Sequence, residues 1–121
     1  MRIFLVEDAS LLRDRLVRQI DAIDGLDIVG HADNAPEAIE QIRQVKPDAI
    51  LLDIRLKQSN GFQVLEAVKT PGQPPVVVVL TNFAYPQYRK KFIDAGADYF
   101  FDKSHEFDQA INTLKKLKKS K

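Results

Sequence analysis

The sequence predicts an α/β domain built on a parallel sheet of five strands, with helices packed on both faces. Short apolar runs bounded by turn residues alternate with stretches of helical period along the whole chain, the pattern of repeated β-α-β units. The run Val76-Val77-Val78-Val79-Leu80 has no polar alternation, as expected of a central strand covered on both sides. Four of the runs also end in polar residues, which a parallel sheet gathers along one edge.

The first strand is Arg2 to Val6, and the helix after it places Leu12, Leu16, Ile20 and Ile23 on one face. A second strand spans Asp27 to Asp33. Asn34-Ala35-Pro36-Glu37 then reads as a helix start: Asn34 caps the first turn, proline is tolerated there, and Glu37 follows three residues on. Ala38, Ile39, Ile42 and Val45 form that helix's buried face, and Lys46-Pro47 stops it before the third strand, Ala49 to Leu52. Pro74-Pro75 suits the entry to the Val76–Leu80 strand. A helix from about Pro86 to Ala95 ends near Gly96, a residue suited to a left-handed cap, and the fifth strand is Tyr99 to Asp102. The last helix sets Phe107, Ala110, Ile111, Leu114 and Leu117 on one side, with Ser104 as its expected N-cap.

The chain has 121 residues, 45% hydrophobic and 29% charged, which fits one domain spanning residues 1–121 and is short for two. It has no cysteine, so disulfides, thiolate metal sites and thiol catalysis are excluded. No apolar run is long enough for a signal peptide or a membrane span, which points to the cytoplasm. A net charge of +1 implies no general affinity for nucleic acid, and the lysine-rich stretch from Lys115 to Lys121 reads as the solvated face of the last helix.

The polar residues at the strand ends are Glu7-Asp8, Asp53, Thr81 and Lys103. Each has an ordinary structural alternative: Asp8 as a helix cap, Asp53 as a cap or turn residue, Thr81 as a β-branched strand residue, Lys103 as a solvated lysine. Gathered in one pocket, carboxylates from two strands repel unless a cation sits among them, and a set of hard oxygen ligands favours Mg²⁺. Such a pocket suits phosphate. Asp53, following four apolar residues, is the candidate nucleophile, since an ionised group there is costly without partners.

With the acidic pair, Asp53-Ile54-Arg55-Leu56 followed by Gly61, then Thr81, Ala95-Gly96-Ala97-Asp98 and Lys103 in order along the chain, the sequence strongly resembles the receiver domain of two-component response regulators. The resemblance covers essentially the whole chain. It implies a doubly wound five-stranded sheet of order 2-1-3-4-5, as in flavodoxin and CheY, in a stand-alone phosphoacceptor switch rather than a turnover enzyme. On that pattern Asp53 accepts phosphate from a phosphohistidine of a sensor histidine kinase or a histidine phosphotransfer protein. Mg²⁺ is held by Asp8, Asp53 and the backbone carbonyl of Arg55, with Glu7 acting through water. Lys103 stabilises the charge on the phosphoryl group, Thr81 donates a hydrogen bond to it, and Phe100 is the aromatic that follows Thr81 in the switch. The fourth helix, fifth strand and last helix form the output face for a downstream protein or a second copy, with Tyr88, Lys91, Phe92 and Tyr99 as candidate contacts.

Neither His31 nor His105 falls at a strand end feeding the pocket, so the phosphate arrives on a histidine of another protein. Against the family pattern, Lys57 and Ser104 stand where proline is common. Asn82 replaces a small residue beside the threonine and is expected to crowd the phosphoryl site, while Arg55 is placed to shield an acyl phosphate. Other readings are the receiver half of a truncated DNA-binding regulator, an aspartyl-phosphate phosphatase, and an FMN-binding flavodoxin relative. The phosphatase needs an acid where Arg55 stands. The flavodoxin needs a Ser/Thr/Gly-rich loop where Glu7-Asp8-Ala9 stands.

Overall fold

The computed structural model describes residues 1–119. Its strands are β1 (Arg2–Val6), β2 (Asp27–Ala32), β3 (Ala49–Leu52), β4 (Arg55–Leu56), β5 (Ser59–Asn60), β6 (Val76–Thr81) and β7 (Tyr99–Asp102). The helices are α1 (Ser10–Asp21), α2 (Ala35–Val45), α3 (Gly61–Val68), α4 (Pro86–Asp94) and α5 (Phe107–Lys119). Five strands form a parallel sheet of order β2-β1-β3-β6-β7, while β4 and β5 make a small antiparallel hairpin. Counting the strands of the large sheet alone, the order is 2-1-3-4-5, as the resemblance implies.

The two-residue period of the strands divides the core. Phe4, Val6, Ile50, Leu52, Val77, Val79 and Phe100 point to one side and pack against Ala38, Ile42, Val64, Leu65 and Phe92 of α2, α3 and α4. Ile3, Leu5, Leu51, Val78 and Leu80 point to the other, against Leu16 and Ile20 of α1 and Ala110 and Leu114 of α5. Both layers are closed, which is why Val76–Leu80 needs no polar residue: Val77, Val78 and Val79 have no exposed surface. Burying each such side chain stabilises the fold by roughly 1.5–3 kcal/mol.

Asn34 caps α2, accepting from the Glu37 N–H at 3.0 Å, and Lys46 ends it in a left-handed conformation at φ 49°. One structural alternative falls away and two local expectations need correction. Asp8 does not cap α1, whose N-cap position is Ala9 with no side-chain bond. Ser104 does not cap α5, which begins three residues later; its N–H is instead taken by the Asp102 carboxylate at 2.8 Å, while Glu106 accepts from the Asp102 N–H at 2.9 Å. Asp102 and Glu106 thus fold this turn before the helix can start. Ile23 lies beyond the end of α1, yet still packs on the core beside it. Of the lysine-rich tail, Ser120 and Lys121 lie outside the described residues.

A capping box marks the start of α3: Asn60 accepts from Gln63 N–H, and the Gln63 side chain accepts from Asn60 N–H. Its first residue is Gly61 for a steric reason. A Cβ there would lie 2.2 Å from the Asp53 carbonyl oxygen, because the Gly61 N–H closes the loop onto Ile54 O at 2.6 Å. Lys57 ties the same loop to the end of β2, its N–H donating to Asp33 O at 3.0 Å and its ammonium 3.0 Å from the Asp33 carboxylate. Proline at that position could not make the first of these bonds.

Gly61→Ala should therefore force the β3–α3 loop off Asp53 and lower stability by about 1–3 kcal/mol, the usual cost of overpacking. Urea unfolding of the variant checks this; an unchanged midpoint would show that the loop relaxes freely.

Candidate functional site

The chain reverses its direction of winding between β1 and β3, so a crevice opens at their carboxyl ends. Register fixes what meets there. Val6 pairs with Leu52 and the Asp53 N–H donates to Val6 O at 3.1 Å, which sets Glu7 beside Asp53. On the other side Thr81 pairs with Asp102, and the Lys103 N–H donates to Thr81 O at 2.9 Å.

The side chains complete the crevice. The Lys103 ammonium donates to Glu7 Oε1 at 2.5 Å and to Asp53 Oδ2 at 2.8 Å. Asp53 Oδ1 accepts from the Ile54 N–H at 2.7 Å, so each of its oxygens has a donor. Glu7 and Asp53 are buried and Asp8 is half-buried. One carboxylate oxygen from each of the three lies within 4.8 Å of the others. At that spacing each pair of like charges repels by roughly 3 kcal/mol at an effective dielectric near 20. A single ammonium cannot balance three carboxylates, and the donor set is all oxygen, so the trio fits a small hard cation such as Mg²⁺.

Burial pushes the Glu7 carboxyl up, and the charge of Asp53 adds to this against the hydrogen bond from Lys103, placing it at about 7. Burial opposes the charge on Lys103, but attraction and hydrogen bonds from Asp53 and Glu7 outweigh it and raise its pKa. Thr81 is fully buried; its oxygen accepts from the Phe83 N–H at 3.1 Å, which leaves the hydroxyl proton to donate. Phe100 is 3% exposed, packed edge-on against Phe92 at 6.1 Å.

Glu7, Asp8, Asp53 and Lys103 are thus brought together, with Thr81 at the neighbouring strand end. The Arg55 carbonyl as a metal ligand rests on the resemblance. The Arg55 guanidinium stacks over Phe83 at 4.1 Å. Asn82 is exposed, lining with Lys103 and His105 a cleft of about 530 Å³ beside the carboxylates. His31 and His105 are both exposed.

Two contacts escaped the sequence reading. Arg89 donates to Phe100 O at 2.9 Å, lies 4.9 Å over its ring and reaches Glu106 at 3.5 Å. Lys69, with its side chain 1% exposed, pairs with Asp98 at 2.9 Å at the opposite end of the sheet. Neither is adjacent in sequence to its partner, and no motif marks them.

The expected contacts of the output face separate. Phe92 is a core residue at 1% exposure. Tyr88 and Lys91 turn toward α3, lining a cleft with Phe62 and Glu66. Only Tyr99, 37% exposed, keeps to the expected face.

The family model of the response regulator receiver domain matches residues 3–115. The chain belongs to this family. It is a receiver domain of two-component signal transduction, in a family that generally binds Mg²⁺ at an acidic pocket. It is 33% identical to the sensory transduction protein LytT of Bacillus cereus over 121 residues, all of this chain and 48% of that protein. It is 31% identical to the transcriptional regulatory protein YvfU of Bacillus subtilis, covering 60% of it. The chain therefore spans about half the length of the curated relatives it matches. Among solved structures, the response regulator domain of Thermotoga maritima CheB superposes with a TM-score of 0.84 at 25% identity, covering 99% of this chain and 94% of that one. The receiver domain of NarL from Mycobacterium tuberculosis gives 0.85 at 27%, covering 99% and 97%. Among the described residues no helix is long and apolar enough to cross a membrane.

A carboxyl raised in the folded state contributes stability that is complete below its unfolded pKa, near 4.5, and lost as pH rises through about 7. In EDTA, the Glu7 contribution should thus decline between these values, and Glu7→Gln should flatten that part of the profile. Thermal unfolding against pH reads it; identical profiles would show that Glu7 ionises normally.

Proposed function

We propose that residues 1–121 act as one phosphoacceptor unit, with Asp53 as the nucleophile and Asp8, Asp53 and the Arg55 carbonyl holding Mg²⁺, Glu7 assisting through water. The observation that carries this is Asp53 itself: a buried carboxylate at the carboxyl end of β3, bonded to Lys103 at 2.8 Å and crowded by two further acids. Mg²⁺, when bound, offsets the charge of the carboxylates and of the incoming phosphoryl oxygens.

An Asp53 oxygen attacks phosphorus as the phosphorus–nitrogen bond of a donor phosphohistidine breaks, and the imidazole leaves with the bonding pair. Lys103, already charged and in contact with Asp53, moves its hydrogen bond to a phosphoryl oxygen. Thr81 donates its hydroxyl proton to another. The donor is a sensor histidine kinase or a histidine phosphotransfer protein in the cytoplasm, and the only chemistry catalysed is the domain's own phosphorylation and dephosphorylation.

Output leaves through Thr81, Phe100 and the face of α4, β7 and α5, toward a protein partner or a second copy. Because Arg89 stacks on Phe100 and bonds its carbonyl, Phe100 cannot shift without disturbing the contact from α4 to Glu106, in the turn before α5. A second reading, the receiver portion of a longer transcriptional regulator, is favoured by the half-length match to its relatives.

Asp53→Asn should abolish labelling by acetyl phosphate or a phosphorylated kinase without unfolding the domain, and EDTA or Asp8→Ala should stop labelling of the native nucleophile. Retention of acid-stable label on the Asn variant would remove Asp53 from the role, and normal labelling in EDTA would remove the metal.

Lys103→Ala and Thr81→Ala should accept some phosphate yet fail to transmit it. Amide spectra with and without beryllofluoride separate the two steps: a change as large as in the unmodified domain would place the coupling elsewhere.

A further inference from the structure

The three successive cations of α4 have different fates. Arg89 is paired with Glu106 and Lys90 with Asp94. Lys91 instead rests its ammonium 4.2 Å over the ring of Phe62 on α3, and no carboxylate among the described residues lies within ion-pair distance of it. Arg55, at the same cleft, is likewise held on a ring, that of Phe83, and not on an acid. Such stacking at an exposed site is worth roughly 0.5–1 kcal/mol, so either cation can leave its ring for a carboxylate at small cost.

Between them the cleft has an apolar floor. Phe62 and Phe92 meet edge to face, 5.4 Å between centres at 79°, and Ile54 lies beside them. Its volume is about 510 Å³, and Tyr88 and Glu66 complete the rim. Glu66 is the one acidic residue there, against two cations. A groove between two helices, apolar inside and cationic at its rim, is shaped for an amphipathic helix carrying acids beside its apolar anchors.

We infer that the α3–α4 cleft, distinct from the α4–β7–α5 face, docks an acidic amphipathic segment of a partner protein, its apolar side chains over the half-buried ring of Phe62, which Phe92 backs from the core, and its carboxylates on Lys91 and Arg55. Docking here does not require phosphate on Asp53, though Ile54 and Arg55 follow the nucleophile directly and make the cleft continuous with the site.

The probe is a synthetic fluorescein-labelled amphipathic peptide with Leu and Phe four residues apart, flanked by Glu, compared with the same peptide carrying Gln for Glu. The acidic peptide should bind, with amide shifts confined to residues 54–66 and 83–92. Lys91→Glu should weaken it by roughly fivefold and Glu66→Lys should tighten it by a similar factor, the scale of reversing one rim charge. Both positions are on helix surfaces, and the opposite signs separate docking from damage to the fold. Asp53→Asn should bind the peptide as the unmodified domain does, so that loss of labelling and loss of docking are independent results. Equal binding of the Gln peptide, indifference to both charge reversals, shifts confined to residues 99–110, competition by a single-stranded oligonucleotide but not by unlabelled acidic peptide, or concentration-dependent dimers in sedimentation that occupy the cleft would each overturn the inference.

Discussion

One ammonium group holds the carboxyl edge of the sheet together. Lys103 comes from the end of β7 and bonds carboxylates at the ends of β1 and β3, spanning three of the five strands of the main sheet. Without it Glu7 and Asp53 would be two buried acids facing each other, an arrangement that costs several kcal/mol unless one is protonated. With it the pair is tolerated but not balanced. The remaining negative charge is what makes the crevice a place for a small divalent cation.

The backbone around this contact leaves little freedom. Asp53 is fixed from below by its N–H on Val6, from the side by Ile54 N–H on its own carboxylate, and from above by Gly61, whose lack of a side chain lets the α3 turn close on the Asp53 carbonyl. Lys57 draws the outer part of the same loop to Asp33. A carboxylate so held would lose little entropy on attack if it is the phosphoacceptor proposed above, which is where positioning would contribute to phosphoryl transfer.

Much of this was legible because it is periodic or local. The apolar runs and their polar ends gave the strands, the sheet edge and the four groups at the crevice; Asn34 announced α2, and the spacing Leu114, Leu117 after Ala110 announced the buried stripe of α5. Ser104 misled because a serine before an apolar period resembles a cap, whereas Asp102 and Glu106 had already taken the turn's N–H groups. Tyr88, Lys91 and Phe92 misled for another reason. Helical spacing says which residues share a face but not which neighbour the face meets, and α4 borders α3 as well as β7. Arg89, Phe83 and Lys69 were silent because their partners are distant in sequence and known only once the sheet order is known.

Helix α4 lies between two surfaces. Its inner stripe carries Phe92, which touches both Phe62 of α3 and Phe100 of β7. One side carries Arg89, bound to Phe100 and Glu106; the other carries Lys91, bound to Phe62. Thr81 reaches the same helix, its oxygen holding the Phe83 N–H at the start of the loop into α4. The face toward α5 and the cleft toward α3 thus share one helix, and only a ligand whose binding at one favoured a different arrangement of α4 would alter affinity at the other, by the same factor.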